Sequence, residues 1–465
     1  GDDNPMHVDA IIARRLLFGG PVVHGIHAVC CALASWLRTR PAAVRLRSLN
    51  VVFLKPMRVD QPVVFLIEKE TDETVQLRIT AAGQLVTRIV CEFEAQRENI
   101  FSDRVPDMAA ALGTCQTRHE YQHASGSLPL LLPRDSARRQ IPELLTHLPA
   151  GQTALLLATT RLVGTVCPGL HSIYSALQLT FQDPPSGTAD TTEAAPHPVT
   201  GSTPAMNWKV SSYDPRFGSL SLHLDSPIAT GSIRAFVRPG PREQASFSEV
   251  RKLVKPGSFS GIQALVVGGS RGFGEVCAKL LAAGGADVRI TFHSGAGDAQ
   301  RVVEEICGGG GRACATQLDV TSLDAGLPAS TTDNRAPTHL FYFATPPIAR
   351  AVKNRFSSDL FREFCSYYVD ALVTLVEELT PLGLRGLYYP SSVFVSELPS
   401  GMGEYAAAKA AGESLCAFLD RMQPDLQVLA PRLPKSATDQ TASLVPAKIE
   451  DPALVLIDTL QPFMV

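Results

Sequence analysis

The sequence predicts an α+β fold built twice over, followed by an α/β fold with a doubly wound parallel sheet. Three observations carry this. An apolar run opened by Gly-Gly-Pro, GGPVVHGIHAVCCALASWL (19–37), is followed by four strand-like stretches. A weaker echo of that order returns between about residues 125 and 239. From residue 264 the pattern becomes strand, glycine loop, helix, strand, in ALVVGGSRGFGEVCAKLLAAGGADVRITF (264–292).

The chain opens GDDNPMHVDA. Gly1, Asn4 and Pro5 punctuate a turn, and turn chemistry of this kind aims side chains into a cleft. Asp2 and His7 can then converge on one water, and a carboxylate and an imidazole around one water form a general acid–base pair. The plainer alternative is an N-terminal arm with a helix cap. The run at 19–37 is long enough for a buried helix. After it, VRLRSLNVVFL (44–54), PVVFLIEKE (62–70), TVQLRITAA (74–82) and QLVTRIVCEFEA (84–95) read as strands, several alternating with period two. One long helix followed by antiparallel strands implies a sheet wrapped around a helix.

PPSGTADTTEAAPHPVTGSTP (184–204) has the composition of a surface loop. Around it, LVGTVCPGLHSIYSALQLTF (162–181) echoes VVHGIHAV and the first strand, with the helix largely deleted, and MNWKVSSYDPRFGSLSLHLDSPIATGSIRAFVRP (206–239) echoes the strands at 62–95. The expected organisation is a first domain over 1–97, a linker and degenerate second copy over 98–239, a linker with a short helix over 240–258, and an α/β domain over 259–465. His171 is the one conspicuous candidate of the second copy. HEYQH (119–123) fits the zinc-protease pattern H-E-x-x-H, but it leads into turn-rich sequence that would leave its helix short, so no metal is expected.

At 465 residues the length suits roughly three domains. A hydrophobic content of 45% supports packed cores, and a net charge of −3 without long charged runs argues against nucleic-acid and membrane-surface partners. No apolar stretch approaches a membrane span and no signal peptide is visible. Ten cysteines without framework spacing, Cys30 and Cys31 adjacent among them, imply reduced thiols and a cytoplasmic location.

In the C-terminal segment, Gly268, Gly272 and Gly274 let the backbone approach a pyrophosphate at a helix N-terminus. More βα material follows in RACATQLDV (312–320), HLFYFATPP (339–347), RGLYYPSSVFVS (385–396) and LQVLAPRLP (426–434). SSVFVSELPSGMGEYAAAKAAGESL (391–415) supplies Ser392, Tyr405 and Lys409. Tyr and Lys four apart share a helical face. An ammonium beside the phenol is expected to lower its pKa, while the Ser hydroxyl holds a substrate oxygen.

GDDNPMHVDAIIA resembles the signature of MaoC-like (R)-specific enoyl-CoA hydratases, G-D-x-N-P-x-H with Ala six residues on, and FGGPVVHGI (18–26) resembles the start of their central helix. The resemblance covers about residues 1–95. It implies the hot-dog fold, here doubled, with Asp2 and His7 as the acid–base pair that adds or removes water across the C2–C3 bond of an acyl thioester. Gly25 is implied as the oxyanion donor; the competing reading for Gly25 is helix packing. The strand this family places ahead of the turn is missing, so either the native chain is longer or another segment supplies it.

Residues 259–465 resemble the short-chain dehydrogenase/reductases, most closely the 3-ketoacyl-thioester reductases, on the loop GGSRGFG, the LDV at 318–320 and Ser–Tyr–Lys spaced 13 and 4 apart. The resemblance implies a Rossmann-type sheet, Ser392, Tyr405 and Lys409 as catalytic residues, and a cofactor site including Gly268, Ser270, Arg271, Gly272, Phe273, Gly274, His293, Asp319, Val320 and Ala344 beside Tyr405 and Lys409. Three places depart from the pattern. The family's N-A-G is Phe343-Ala344-Thr345, its helix Asn is not evident around YYVDAL (367–372), and its Pro-Gly is Pro431-Arg432. The second strand ends TFHSG (291–295) without a carboxylate, so NADPH is expected, with Arg271 and His293 receiving the 2′-phosphate.

The expected function is bifunctional: a ketoreductase and a dehydratase or enoyl hydratase acting in turn on a carrier-protein or CoA thioester, in fatty-acyl or polyketide assembly, in a homodimer. The alternatives are an NAD-dependent hydratase/dehydrogenase of the β-oxidation type, and a carrier-protein-binding scaffold with only the reductase active.

Overall fold

The computed structural model describes residues 4–96, 105–107, 120–183, 203–323, 335–350, 355–441 and 449–465. The chain divides into two compact units at Gly240/Pro241. Asp2, His119 and most of 184–204 lie outside the described residues. No described helix is long and apolar enough to cross a membrane.

The first unit is built on one antiparallel sheet of nine described strands. They are β1 (Val44–Phe53), β2 (Val63–Glu70), β3 (Thr74–Ala81), β4 (Gln84–Ala95), β5 (Ser125–Pro129), β6 (Ser172–Phe181), β7 (Ala205–Asp214), β8 (Ser219–Asp225) and β9 (Ala229–Val237), in spatial order β2-β3-β4-β1-β6-β9-β8-β7-β5. The two halves mirror each other about the β1–β6 pairing, where Asn50 faces Gln178. Each half repeats the same hairpin order outward from this seam. The second half adds β5 beyond β7, in the place of the strand the first half lacks among its described residues.

The central helix of the first half spans Gly25–Leu37, shorter than the apolar run, because Gly19 and Gly20 form a bend, with Gly19 at φ +66°, and Pro21 follows it ahead of the bridge at Val22. It buries Ile26, Val29, Leu33, Trp36 and Leu37 against the sheet. The second half keeps its helix, contrary to expectation: Ala150–Arg161 continues into a wider turn over Leu162–Val166. Ala154, Leu155 and Leu156 are all buried. A helix covered on every side has no polar stripe, so no 3.6-residue periodicity marks it. Its buried Gln152 uses both ends of its amide on Leu46, accepting from the amide at 3.0 Å and donating to the carbonyl at 2.8 Å, where β1 bulges. One contiguous core runs from Ile26 to Ala235 through both halves.

The second unit holds a six-stranded parallel sheet: β10 (Gln263–Val267), β11 (Asp287–Phe292), β12 (Arg312–Gln317), β13 (His339–Tyr342), β14 (Gly386–Tyr388) and, beyond the two-residue β15 (Ser391–Ser392), β16 (Gln427–Leu429). The order β12-β11-β10-β13-β14-β16 is that of a doubly wound dinucleotide fold, whose ligands bind where the order reverses, here between β10 and β13. β15 pairs with β17 (Arg432–Leu433) at the C-terminal ends of the strands. Separate cores line the two faces.

The stretch 240–258 is not a free linker. Phe247, Val250 and Val254, spaced three and four apart around a capped turn at Phe247–Val250, are buried in one core of this unit. Ser246 and Glu249 form the reciprocal cap.

Candidate active sites

Pro5–Val8 is a single helical turn whose cap is Asn4, with Pro5 at the first position. The fully buried Asn4 side chain accepts from the Met6 amide at 3.1 Å and donates to the Leu170 carbonyl, also at 3.1 Å. The second half therefore anchors the opening turn of the first. His7 Nδ1 lies 2.7 Å from the Val22 carbonyl. A carbonyl only accepts, so Nδ1 carries a hydrogen, and in the neutral form of the ring Nε2 is the basic nitrogen. The His7 ring stacks on His24, centroids 3.6 Å apart at 27°. His24 precedes Gly25, the first residue of the central helix, and an N–H in a helix's first turn has no intrahelical acceptor. A Cβ on Gly25 would stand 2.7 Å from the Phe53 ring, so the helix-packing reading also has a physical basis. The structure thus brings His7 to the start of the central helix, while Asp2 lies outside the described residues.

His171 takes part in a clamp. Arg238 Nη1 donates to His171 Nδ1 at 3.3 Å and Arg238 Nη2 to the Leu170 carbonyl at 2.9 Å. Arginine only donates, so Nδ1 accepts and the ring is neutral with its hydrogen on Nε2. Burial pulls Arg238 down to about 10. Arg238 escaped sequence reasoning, since nothing in SIRAFVRP distinguishes it from a strand-end surface arginine. Glu120–His123, from the zinc-like pattern, ends in a turn with His123 at φ +66°.

In the second unit, β10 leads into Gly268, whose φ of +79° is open to glycine. A Cβ there would meet the Ala344 nitrogen at 2.9 Å, which places Gly268 beside Ala344 across the switch point. Gly272 opens the helix Gly272–Ala283, and a Cβ on Gly274 would lie 2.2 Å from the Gly268 carbonyl oxygen. Ser270 is buried and Phe273 partly so. A bare backbone turn at a helix N-terminus is a cradle for a dinucleotide pyrophosphate, and added side chains would fill it. Gly274→Ala should therefore cost about 1–3 kcal/mol of stability and abolish nucleotide binding, read by thermal unfolding and nucleotide fluorescence.

The two cations expected at the 2′-phosphate each face a carboxylate. Arg271 lies 3.8 Å from Asp439, and the largely exposed His293 lies 3.5 Å from Asp319. Asp319 accepts from the Thr321 hydroxyl and amide, which lower its pKa, with His293 adding to the effect. Val320 beside it is buried.

Ser392, Tyr405 and Lys409 come together. Tyr405 and Lys409 stand one turn apart on the helix Gly403–Met422, and Ser392 on β15 hydrogen-bonds Tyr405. Lys409 is buried and donates to the Pro390 carbonyl at 2.7 Å. The expected lowering of the phenol is overturned: burial pushes Tyr405 up to about 12, against the Ser392 hydrogen bond. Burial instead pulls Lys409 down to about 7. Desolvation disfavours both charged forms and outweighs their proximity. Arg432, at the Pro-Gly departure, forks onto Glu413 at 2.8 and 2.7 Å, and Glu413 also accepts from Ser391 at 2.5 Å.

Comparison with known proteins matches residues 1–88 to the MaoC like domain and residues 263–329 to the short chain dehydrogenase family. Over 175 residues the chain is 33% identical to the "Short-chain dehydrogenase/reductase FrzI" of Cladobotryum sp, covering 34% of this chain and 64% of the relative. Over 68 residues it is 43% identical to the "Hydroxynaphthalene reductase-like protein Arp2" of Metarhizium guizhouense, covering 15% of this chain and 26% of the relative. The chain thus spans less than two thirds of the length of either. A Burkholderia cenocepacia short chain dehydrogenase solved in complex with NADP is 25% identical, with a TM-score of 0.39, covering 45% of this chain and 92% of that one. The chain joins a MaoC-like domain at its N-terminal end to a short-chain dehydrogenase/reductase domain.

Proposed function

We propose that the chain reduces a 3-ketoacyl thioester to the 3-hydroxyacyl thioester and removes water from that product to give the trans-2-enoyl thioester, in fatty-acyl or polyketide assembly. The supporting observation is that each unit holds acid–base groups at a site of its own: His7 against the central helix in one, Ser392, Tyr405 and Lys409 together in the other. A nicotinamide nucleotide, held at the turn of Gly268, Gly272 and Gly274, would supply the hydride chemistry at C3 when bound. Tyr405 Oη gives its proton to the C3 oxygen, Ser392 holds that oxygen, and Lys409, one turn along the helix from Tyr405, would help hold the nucleotide's sugar. In the first unit, His7 Nε2 and the Asp2 carboxyl together take the C2 proton and return one to the departing C3 hydroxyl, so water leaves. The Gly25 N–H faces the thioester oxygen as negative charge develops on it.

The thioester is carried by an acyl carrier protein or CoA, the protein acts as a homodimer in the cytoplasm, and the nucleotide is NADPH. Arg271 and His293 each have a carboxylate close by. Arg271→Ala should raise KM for NADPH far more than for NADH; equal effects on both would remove Arg271 from this role.

Stereochemistry tests the pairing of the two steps. Asp2→Asn protein, given a 3-ketoacyl thioester and NADPH, should accumulate the (R)-3-hydroxyacyl thioester, read by chiral chromatography. A predominantly (S) product would break the two-step route, because the resembled hydratases handle the (R) isomer. Mass spectrometry of products across chain lengths gives the substrate range.

A further inference from the structure

Two of the departures in the second unit meet at one hydrogen bond. Thr345 stands where the resembled family has a glycine after the fourth strand, and its hydroxyl lies 2.5 Å from the hydroxyl of Tyr368. Tyr368 lies on the helical segment where that family's asparagine is missing. The segment Ser366–Asp370 widens into a five-residue turn between the helices Ser358–Cys365 and Ala371–Leu379. Such single wide turns inside helices recur at functional sites. Here the turn carries a fully buried Tyr368. Its ring meets Tyr405 edge-on at 5.7 Å, and the Lys409 ammonium stands 4.1 Å from its centroid. Tyr389 presents a second face, 4.6 Å from the same nitrogen.

We propose that Tyr368 is a positioning residue for Lys409, its ring face, together with that of Tyr389, holding the ammonium beside Tyr405 in place of an asparagine-based relay. The proposal rests on the reductase reading of Ser392, Tyr405 and Lys409. A buried ammonium needs compensation. Among the described residues, Lys409 donates one hydrogen bond, to the Pro390 carbonyl. Glu413, one turn along the same helix, is occupied by Arg432 and Ser391. Aromatic faces attract a cation through the ring quadrupole, most strongly where water is excluded. The Thr345 hydrogen bond fixes the Tyr368 ring at its far end. The groups around the ammonium are the rings of Tyr368 and Tyr389, the Cys416 thiol and the Glu413 carboxylate. Of these, Tyr368 and Tyr389 offer ring faces to it.

The test is an NMR titration of Lys409 in the cofactor-free full chain carrying isotope-labelled lysine, alongside the pH profile of kcat/KM for ketone reduction. Tyr368→Leu removes the face, and the Lys409 midpoint should fall by about one pH unit, with the alkaline limb of the profile moving the same way. Tyr368→Phe keeps the face and should leave the midpoint where it is. An unmoved midpoint in folded Tyr368→Leu protein overturns the proposal, as does a Tyr368→Phe shift as large as that of Tyr368→Leu. Should Tyr368→Leu fail to fold, Tyr389→Leu reads the second face: a downward shift supports the proposal and no shift overturns it. A wild-type protein that reduces no ketone with either nucleotide, but shows these Lys409 shifts, sinks the reductase reading and leaves the aromatic support of Lys409 standing.

Discussion

Tyr405→Phe is expected to lower kcat/KM for ketone reduction by on the order of 10²-fold or more, the scale of a lost general acid. The ring would keep its edge contacts with Phe364, Tyr368 and Phe394, so the helix Gly403–Met422 should stay in place and the loss should fall on chemistry. Only the hydroxyl that Ser392 orients is removed. Because burial holds Tyr405 at about 12, the phenol remains protonated at neutral pH and is a stored proton donor. Its own ionisation should therefore not limit reduction until the solution is strongly alkaline. Nucleotide affinity, measured by fluorescence, should change little. Dehydration of (R)-3-hydroxyacyl thioesters by the same protein should be unchanged, and a variant that loses both activities while folded would show that the sites are not separate.

His7→Ala should produce the converse result: dehydration lowered on the order of 10²- to 10⁴-fold, with ketone reduction within a few-fold of wild type. The Val22 carbonyl fixes the His7 tautomer, and His24 fixes the plane of its ring. His7→Gln keeps a donor for Val22 but has no basic nitrogen, so it should be nearly as inactive as the alanine variant. If the glutamine variant retained most of its activity, His7 would be a structural pin and not a base. Hydration of crotonyl-CoA by each variant is the measurement.

The strands and the glycine loop were legible because their signals are local. The stretches at 44–54, 62–70, 74–82 and 84–95 become β1 to β4 within a residue at each end: β3 buries every second residue, β1 and β4 bury most of one face, and β2, at the edge of the sheet, is marked by its run of β-branched and apolar residues and not by a buried face. The triad was legible because Tyr405 and Lys409 share a helix, which turns spacing into position. The helix at 150–166 was hidden by burial on all sides, and the stretch 240–258 by proline, glycine and charge surrounding its three apolar anchors. Arg238, Tyr368 and the Thr345 contact were invisible for another reason. Each acts across a long sequence separation, and a departure from a motif does not by itself say which neighbour replaces the lost group. The direction of the Tyr405 shift failed likewise: spacing puts an ammonium near the phenol but carries nothing about desolvation, which governs both groups here.

The β1–β6 seam has a consequence for how this protein behaves when scarce. Where two separate hot-dog subunits meet edge to edge, dilution parts them. Here the halves are tied covalently, so the local concentration of one for the other is set by the intervening chain and not by the number of molecules present. Anchoring of the opening turn by Leu170 from the second half is then insensitive to expression level.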